Sequence, residues 1–476
     1  MKVLIVCANR NTIPMPVIPI GACIVAEAAE RFGHTVRLLD LMFLEDAVSA
    51  VESAVSGMRP DVVGLSVRNI DNTDMRNPVD FMDGLREVAD AVRAATGAPI
   101  VLGGPALGIM PEEILRRLDV SCGVVGDGET VFPLLLERIS RGAALRDLPG
   151  VATVENGAYR AQPCADSAYS SACEAPDFER WLDMPAYRSR LATVPVRSKT
   201  GCAFRCVYCT CPLIEGSAYR LKDPGSVADA VARLAAAGHR DIEFVDSVFN
   251  APREHAMNVC DALARSGHKA RLHCLELNPG ELDDPLLSAM ERAGFASIGI
   301  TIESASDPVL RGLRKGYTAR DVHRAAEAVG RHRMPCAWIF LLGGPGETAD
   351  TVEETLRFAA NRIRPGDIAF FNMGIRLYPG TELETVARRQ GLLSCAPREM
   401  LSPRYYVSPD VDPRWMEKRL NGYRDRHMNI LDMDLLDHSL LRKIHRVAHG
   451  LGMRPPLWKH TRTIRRLLRL AGAYPC

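Results

Sequence analysis

Short apolar runs alternate with helix-period stretches along most of this chain, in two separate series, and that alternation restricts the fold to parallel α/β sheets. In the first series the strand candidates are Lys2–Cys7, His34–Leu38, Asp61–Val67, Pro99–Leu102 and Val120–Val125. Gly21–Phe32 and Phe81–Ala95 have helical spacing between them. Residues 1–145 therefore read as a doubly wound, Rossmann-like parallel sheet, which binds ligands at the carboxyl ends of its strands. Residues 146–195 are weakly periodic and contain Gly150, Pro163, Pro176 and Pro185, so they read as a linker. The second series occupies 196–390, with strand candidates Thr193–Ser198, Asp241–Val245, Arg271–Leu277, Ser297–Ile302, Ala337–Leu342 and Ile368–Tyr378. Six β/α units predict a partial (β/α)6 barrel of the TIM type, with chemistry at the C-terminal strand ends. Residues 391–476 read as mostly helical.

A length of 476 residues suits two or three domains, and 47% hydrophobic with 25% charged residues is ordinary globular composition. Disorder, collagen-like structure and coiled coil are excluded. No uncharged apolar run is long enough to span a bilayer; Met15–Ala26 comes nearest and is broken by Pro16 and Pro19. The first residues read as a strand rather than a signal peptide, so a cytoplasmic location is expected. Fourteen cysteines are too few for a disulfide scaffold, and in a reducing compartment clustered cysteines point to metal or redox chemistry.

Gly201-Cys202-Ala203-Phe204-Arg205-Cys206-Val207-Tyr208-Cys209 is the sharpest motif. Its C-x3-C-x2-C spacing follows the first strand of the second series. Three thiolates on one loop can hold three irons of a [4Fe–4S] cube and leave the fourth iron open. Three buried free thiols, or part of a zinc site, are the alternatives. Zinc ribbons use paired C-x2-C knuckles, and no second knuckle exists here. Cys211 breaks the spacing and reads as a bystander. Cys164 and Cys173 are isolated in the linker.

This loop, with an aromatic residue before its last cysteine, resembles that of the radical S-adenosylmethionine (SAM) enzymes. The resemblance implies that Cys202, Cys206 and Cys209 are the catalytic cluster ligands and that SAM binds the open iron and is cleaved to a 5′-deoxyadenosyl radical. It extends along the second series. Tyr208 belongs to the cofactor site, and Asp246 in Phe244–Phe249 would face the SAM amino group. Glu303 and Ser304 in Gly299–Ser304 resemble the ribose-contacting segment, although Glu303 also suits a salt bridge. Gly343 and Gly344 in Phe340–Thr348 would let backbone approach the adenine and ribose. Arg376–Thr381 ends the sixth strand.

No G-x-G-x-x-G follows the first strand of the N-terminal sheet, and a generic ligand-binding sheet is its plain reading. Pro16–Ala29, Gly64–Arg68, Val101–Pro105 and Val125–Glu129 resemble the cobalamin-binding domains that precede one radical SAM branch. The implied cobalamin residues are Ser66, Arg68, Gly103, Gly104, Gly126, Gly128 and Glu129. The D-x-H-x-x-G of histidine-ligated cobalt is replaced after the first strand by Cys7-Ala8-Asn9-Arg10-Asn11. Asp321–His323 and Asp425–His427 lie outside the domain and lack the glycine. No protein histidine is therefore expected on cobalt. Arg68 is a candidate to cover the corrin's lower face, or else forms a surface ion pair with Asp71 or Asp74.

Together these resemblances imply a cobalamin-dependent radical SAM methyltransferase. It would act on an unactivated carbon of a small-molecule or lipid substrate, with flavodoxin or ferredoxin as electron donor. A cyclisation or rearrangement with the same cofactors is one alternative, and a non-catalytic Fe–S protein with an interaction domain is another. Net charge is +1, but nine Lys or Arg and no acidic residue lie between Ser439 and Cys476. Trp458–Leu470 reads as a basic amphipathic helix with Trp458, Ile464, Leu467, Leu468 and Leu470 on its apolar face. Such a helix either lies on the anionic inner face of the membrane or packs with its arginines solvated. Nucleic acid is not expected as a partner, because the rest of the chain is acidic and no RNA-binding module is visible.

Overall fold

The central N-terminal strands are almost wholly apolar runs, as burial on both faces of a parallel sheet requires, while the edge strand Thr35–Asp40 also carries Arg37 and Asp40. The computed structural model describes residues 1–163, 175–435 and 438–470, so Cys164 and Cys173 lie outside the described residues. β1 (Lys2–Cys7), β2 (Thr35–Asp40), β3 (Val62–Ser66), β4 (Ile100–Gly103) and β5 (Cys122–Val124) pair in parallel in the order β2-β1-β3-β4-β5. That is the flavodoxin-like order, whose ligand crevice opens where the order reverses, between β1 and β3.

The stretch read as linker contributes structure. β6 (Val151–Glu155) and β7 (Ala158–Ala161) form a hairpin that extends the sheet antiparallel to β5. Its turn is Asn156-Gly157, both at positive φ (50° and 78°). That is the two-residue turn whose twist matches a hairpin, and Asn-Gly is its strongest sequence signal.

The second sheet has seven strands where six were expected, in the order β18-β15-β14-β13-β12-β11-β8, all parallel. Its members are β8 (Val194–Val196), β11 (Asp241–Phe244), β12 (Arg271–Leu277), β13 (Phe295–Glu303), β14 (Cys336–Leu342), β15 (Ile368–Met373) and β18 (Ile430–Asp432). Two short ribbons accompany it: β9 (Lys199–Thr200) with β10 (Arg220–Leu221), and β16 (Ile375–Arg376) with β17 (Tyr405–Tyr406). The sixth strand stops at Met373 rather than Tyr378. Gly374 turns the chain at φ 71°, and a side chain there would collide with the Met75 sulfur.

Met75 belongs to the loop after β3, which reaches across and locks the two sheets together. The buried Asp71 pairs with the buried Arg376 at 2.8 Å. Arg76 forks onto Asp434 at 3.0 Å and Glu417 at 3.2 Å and also bonds Asp432. Tyr405 donates its hydroxyl to the Asp74 carbonyl at 2.7 Å. The seventh strand thus ends in carboxylates that receive an arginine from the N-terminal domain.

The basic C-terminal helix Thr461–Leu470 is packed. Arg465 is buried and donates to the carbonyls of Ile430 at 2.7 Å, Met428 at 2.9 Å and Arg424 at 3.2 Å. Part of the basic run is therefore spent on carbonyls at the end of helix Pro413–Arg426, where cations are favoured. Trp458 packs with Ala337, Ile368 and Leu431, while Leu467 remains exposed. Among the described residues no helix is long and apolar enough to cross a membrane.

Asp432 and Asp434 are buried, and burial pushes Asp434 up to about 6 even beside Arg76. Removing Arg76 strands both carboxylates. Arg76→Ala should cost about 3–5 kcal/mol of stability in denaturant melts. Arg86→Ala, which breaks the exposed pair with Asp90, should cost under about 1 kcal/mol.

Candidate functional site

The cysteine loop leaves the carboxyl end of β8 and is fixed from beneath. Asp246, just past β11, is buried and accepts from the Ser198 N–H at 2.7 Å, the Ser198 hydroxyl at 2.5 Å and the Lys199 N–H at 3.2 Å. The Lys199 ammonium lies 3.6 Å away. Both Asp246 oxygens thus bond the root of the loop. Gly201 follows at φ 81°, and a side chain there would strike the Ala218 carbonyl. Glu215 accepts from the Gly201 N–H at 3.2 Å and the Ser247 hydroxyl at 2.9 Å.

The far half of the loop is tied to the end of β13 and to the barrel's last turns. The Val207 N–H donates to the Leu313 carbonyl at 3.1 Å, and the Val207 carbonyl accepts from Leu383 at 2.8 Å. Tyr208 donates its hydroxyl to Glu303 at 2.6 Å. Glu303 also takes an ion pair from Lys315 at 2.8 Å and a hydroxyl from Tyr317 at 3.3 Å. It is buried and held at φ 56°, a conformation costly for a side chain other than glycine and tolerated where surroundings over-determine it. Of the two readings of Glu303, the salt bridge is present. Ser304 is buried against Thr355 (oxygens 3.0 Å apart) and accepts from the Ser306 N–H at 3.1 Å. Gly343, at φ 96°, and Gly344 are buried, and Glu347 accepts from the Gly343 N–H at 3.2 Å.

Cys202 is buried and Cys206 and Cys209 are half-buried on this loop. Burial pushes the Cys202 and Cys206 thiols up. The nearness of Cys211 holds the Cys209 thiol up, and Cys211 itself is held down. Among the described residues no three His, Cys, Asp or Glu side chains converge as they would around a single metal ion.

Two further groups escaped sequence reading. Lys315 carries its charge into the buried cluster around Glu303. Glu276, near the end of β12, is an acid inside the apolar run Leu275-Glu276-Leu277, and that interruption was its only signal. Burial, with Glu303 nearby, pushes it up to about 8.

On the N-terminal sheet, Ser66, Arg68, Gly103, Gly104, Gly126, Gly128 and Glu129 all fall at the carboxyl ends of β3, β4 and β5 or directly after them. A side chain on Gly103 would meet open space, whereas one on Gly104 (φ 96°) would lie 2.5 Å from the Val67 carbonyl oxygen. Gly126 turns at φ 118°, and Gly128 lies against Val25. Arg68 is exposed and borders a cavity of about 290 Å³ with Asn9, Asn72 and Phe81. Its expected ion-pair partners are engaged elsewhere: Asp71 with Arg376, and Asp74 with the backbone N–H groups of Arg76 and Asn77. His34, the one histidine of residues 1–145, lies beside the Met1 amino group at the opposite edge of the sheet.

The carboxyl ends of the two sheets meet at the cysteine loop. Asp127, after β5, pairs bidentately with Arg220 on β10 (2.9 Å for one arm). Helix Pro105–Ile109, after β4, lies on helix Cys211–Glu215, which follows the cysteines. A Cβ on Gly108 would lie 3.2 Å from the Ile214 Cα, so backbones touch there. Three thiols on a glycine-shaped loop fit an Fe–S cube. A strand-end cradle of glycine and serine with open space above Gly103 fits a flat macrocycle.

Residues 196–359 match the radical SAM superfamily, and residues 6–136 match the B12 binding domain. The chain is 26% identical over 435 residues to a tryptophan 2-C-methyltransferase of Streptomyces laurentii, spanning 78% of this chain and 72% of that one. It is also 26% identical to an uncharacterized methyltransferase of Pyrococcus horikoshii, spanning 83% and 84%. Its fold matches that of the radical SAM methyltransferase TsrM from Kitasatospora setae, solved with tryptophan and a SAM analog, at a TM-score of 0.85, 24% identity and 99% of both chains.

Burial holds Glu347, in the Gly-Gly-Pro-Gly-Glu turn, up at about 7, above the 4.5 of a free glutamate. Folding therefore favours its protonated form, and that contribution is lost as pH rises from 4.5 through 7. Glu347→Gln should abolish this loss. Denaturant midpoints from pH 4.5 to 8 should show the variant gaining about 2–3 kcal/mol on the wild type by the alkaline end.

Proposed function

Because the chain belongs to the radical SAM superfamily with a B12 binding domain in front, we propose that it is a cobalamin-dependent radical SAM methyltransferase that methylates an unactivated carbon of a small molecule. The observation that carries this reading is the meeting of the two strand-end faces on the cysteine loop, through Asp127–Arg220 and Gly108 against Ile214. A corrin and a cluster held on either side of such a junction would gain proximity and exclusion of water. Methyl transfer to carbon is also what the Streptomyces laurentii relative's name describes.

Cys202, Cys206 and Cys209 would hold the [4Fe–4S] cluster, and Ser66, Gly103, Gly104, Gly126, Gly128 and Glu129 would line the corrin site. Tyr208, Gly343 and Gly344 are the candidate SAM neighbours, with Asp246, Glu303 and Ser304 shaping the same strand ends from beneath. Bound there, the cluster and SAM supply a hydrogen-abstracting radical and the cobalamin supplies a methyl group. The chain's own work is positional. Asp246 fixes the root of the loop, and Glu303 fixes its last turn through Tyr208. Glu276, held above the usual carboxylate range by burial, lies near the same strand ends. Arg68 would cover the corrin's lower face. The electron comes from a reduced flavodoxin or ferredoxin.

Anaerobically reconstituted wild type, given SAM, a reductant and its substrate, should release 5′-deoxyadenosine and a product heavier by one CH2, and Cys206→Ala should fall to background. A product of unchanged mass would instead favour rearrangement with the same cofactors. EPR of the bound cob(II)alamin should lack nitrogen splitting from an axial histidine, and His34→Ala should leave the spectrum unchanged.

A further inference from the structure

Two buried lysines flank the cysteine loop: Lys199 lies at its root beside Asp246, and Lys315 lies at its last turn. Lys315 is 7% exposed, and its ammonium is 2.8 Å from the Glu303 carboxylate and 3.3 Å from the Tyr208 hydroxyl. It also lies 5.5 Å from the centre of the Tyr208 ring. Burial works against its charge, but Glu303, Tyr208, Tyr317 and Cys206 override that effect and hold it firmly protonated. Tyr208 lies between Cys206 and Cys209 in the chain, so its contact with the ammonium brings the charge to the last turn of the cysteine loop. A cation in a site with few competing waters acts strongly over such distances. The backbone fixes it there: the Lys315 N–H caps helix Asp307–Gly312 on the Leu310 carbonyl at 3.0 Å, and the neighbouring Leu313 carbonyl binds Val207 of the cysteine loop at 3.1 Å.

We propose that Lys315 is a positioning residue that delivers a fixed positive charge to the last turn of the cysteine loop, with Glu303 setting how much of that charge is compensated, so that the pair tunes the reduction potential of the cluster. The inference rests on the reading that Cys202, Cys206 and Cys209 hold a [4Fe–4S] cluster. Its physical basis is that adding an electron raises the negative charge at the thiolates. A nearby cation stabilises that state, and a nearby anion opposes it. Tyr208 links the pair mechanically to the loop, because its hydroxyl is shared between Glu303 and Lys315 while its backbone precedes Cys209.

The test is an EPR-monitored redox titration of the reconstituted full-length protein, with iron content measured on each sample. Lys315→Met should move the midpoint to more negative potential by at least a tenfold change in the reduction equilibrium, 59 mV for one electron. Lys315→Arg should stay near the wild type. Glu303→Gln, which leaves the cation uncompensated, should move the midpoint in the positive direction. Opposite signs for the two variants would not arise from simple loosening of the loop. The proposal is overturned if iron-loaded Lys315→Met keeps the wild-type midpoint, or if Lys315→Met and Glu303→Gln shift the same way. Should Lys315→Met fail to load iron, the Lys315→Arg and Glu303→Gln midpoints decide. A wild type that takes up no cluster would instead defeat the functional reading on which the inference rests.

Discussion

Buried carboxylates hold the cysteine loop, and everything proposed for this molecule depends on them. Asp246 collects the backbone and hydroxyl of Ser198 at the loop's root, and Glu303 collects Tyr208 at its end. A nine-residue loop carrying three thiols has many conformations available, and ordering it costs conformational entropy. Charge-assisted hydrogen bonds in a buried setting are the strong kind and fix geometry as well as energy. Lys199 and Lys315 balance the two anions, so neither carboxylate is left uncompensated. The unusual backbone angle of Glu303 fits this view, since the strand end is bent to bring its side chain under the loop.

The second constraint is the docking of one sheet on the other. Three separate contacts fasten the N-terminal domain: Asp71 to Arg376, Arg76 to the carboxylates after β18, and Asp127 to Arg220. On the N-terminal side each contact comes from a segment that follows the carboxyl end of a strand, β3 or β5, where parallel α/β sheets bind ligands. The same positions therefore both bound the site and set the distance across it. The late strand β18 belongs to this device. It adds only three residues to the sheet, but Asp432 ends it and Asp434 follows, and those two receive Arg76.

Much of this was legible from sequence where the signal is local. Apolar runs gave the strands of both sheets to within a few residues, and the cysteine spacing marked the loop. Signals that depend on distant partners were not legible. Ile430–Asp432 is too short to stand out, and it becomes a strand only by pairing with β15. The Asn156-Gly157 hairpin was readable but was masked by the prolines and glycines around it. Asp246 and Glu303 were placed near the right strand ends, but their duties are set by Ser198, Tyr208 and Lys315, which chain order does not bring together. Arg68 was given Asp71 as a possible mate, yet Asp71 pairs with a residue 305 positions away.

Metal analysis of the intact protein after anaerobic reconstitution with iron, sulfide and cobalamin tests the central claim most directly. The account predicts about four irons and one cobalt retained per chain after gel filtration. It also predicts that Cys202→Ala keeps the cobalt while losing the iron. A wild type that emerges with neither metal, or with zinc in place of iron, would contradict it.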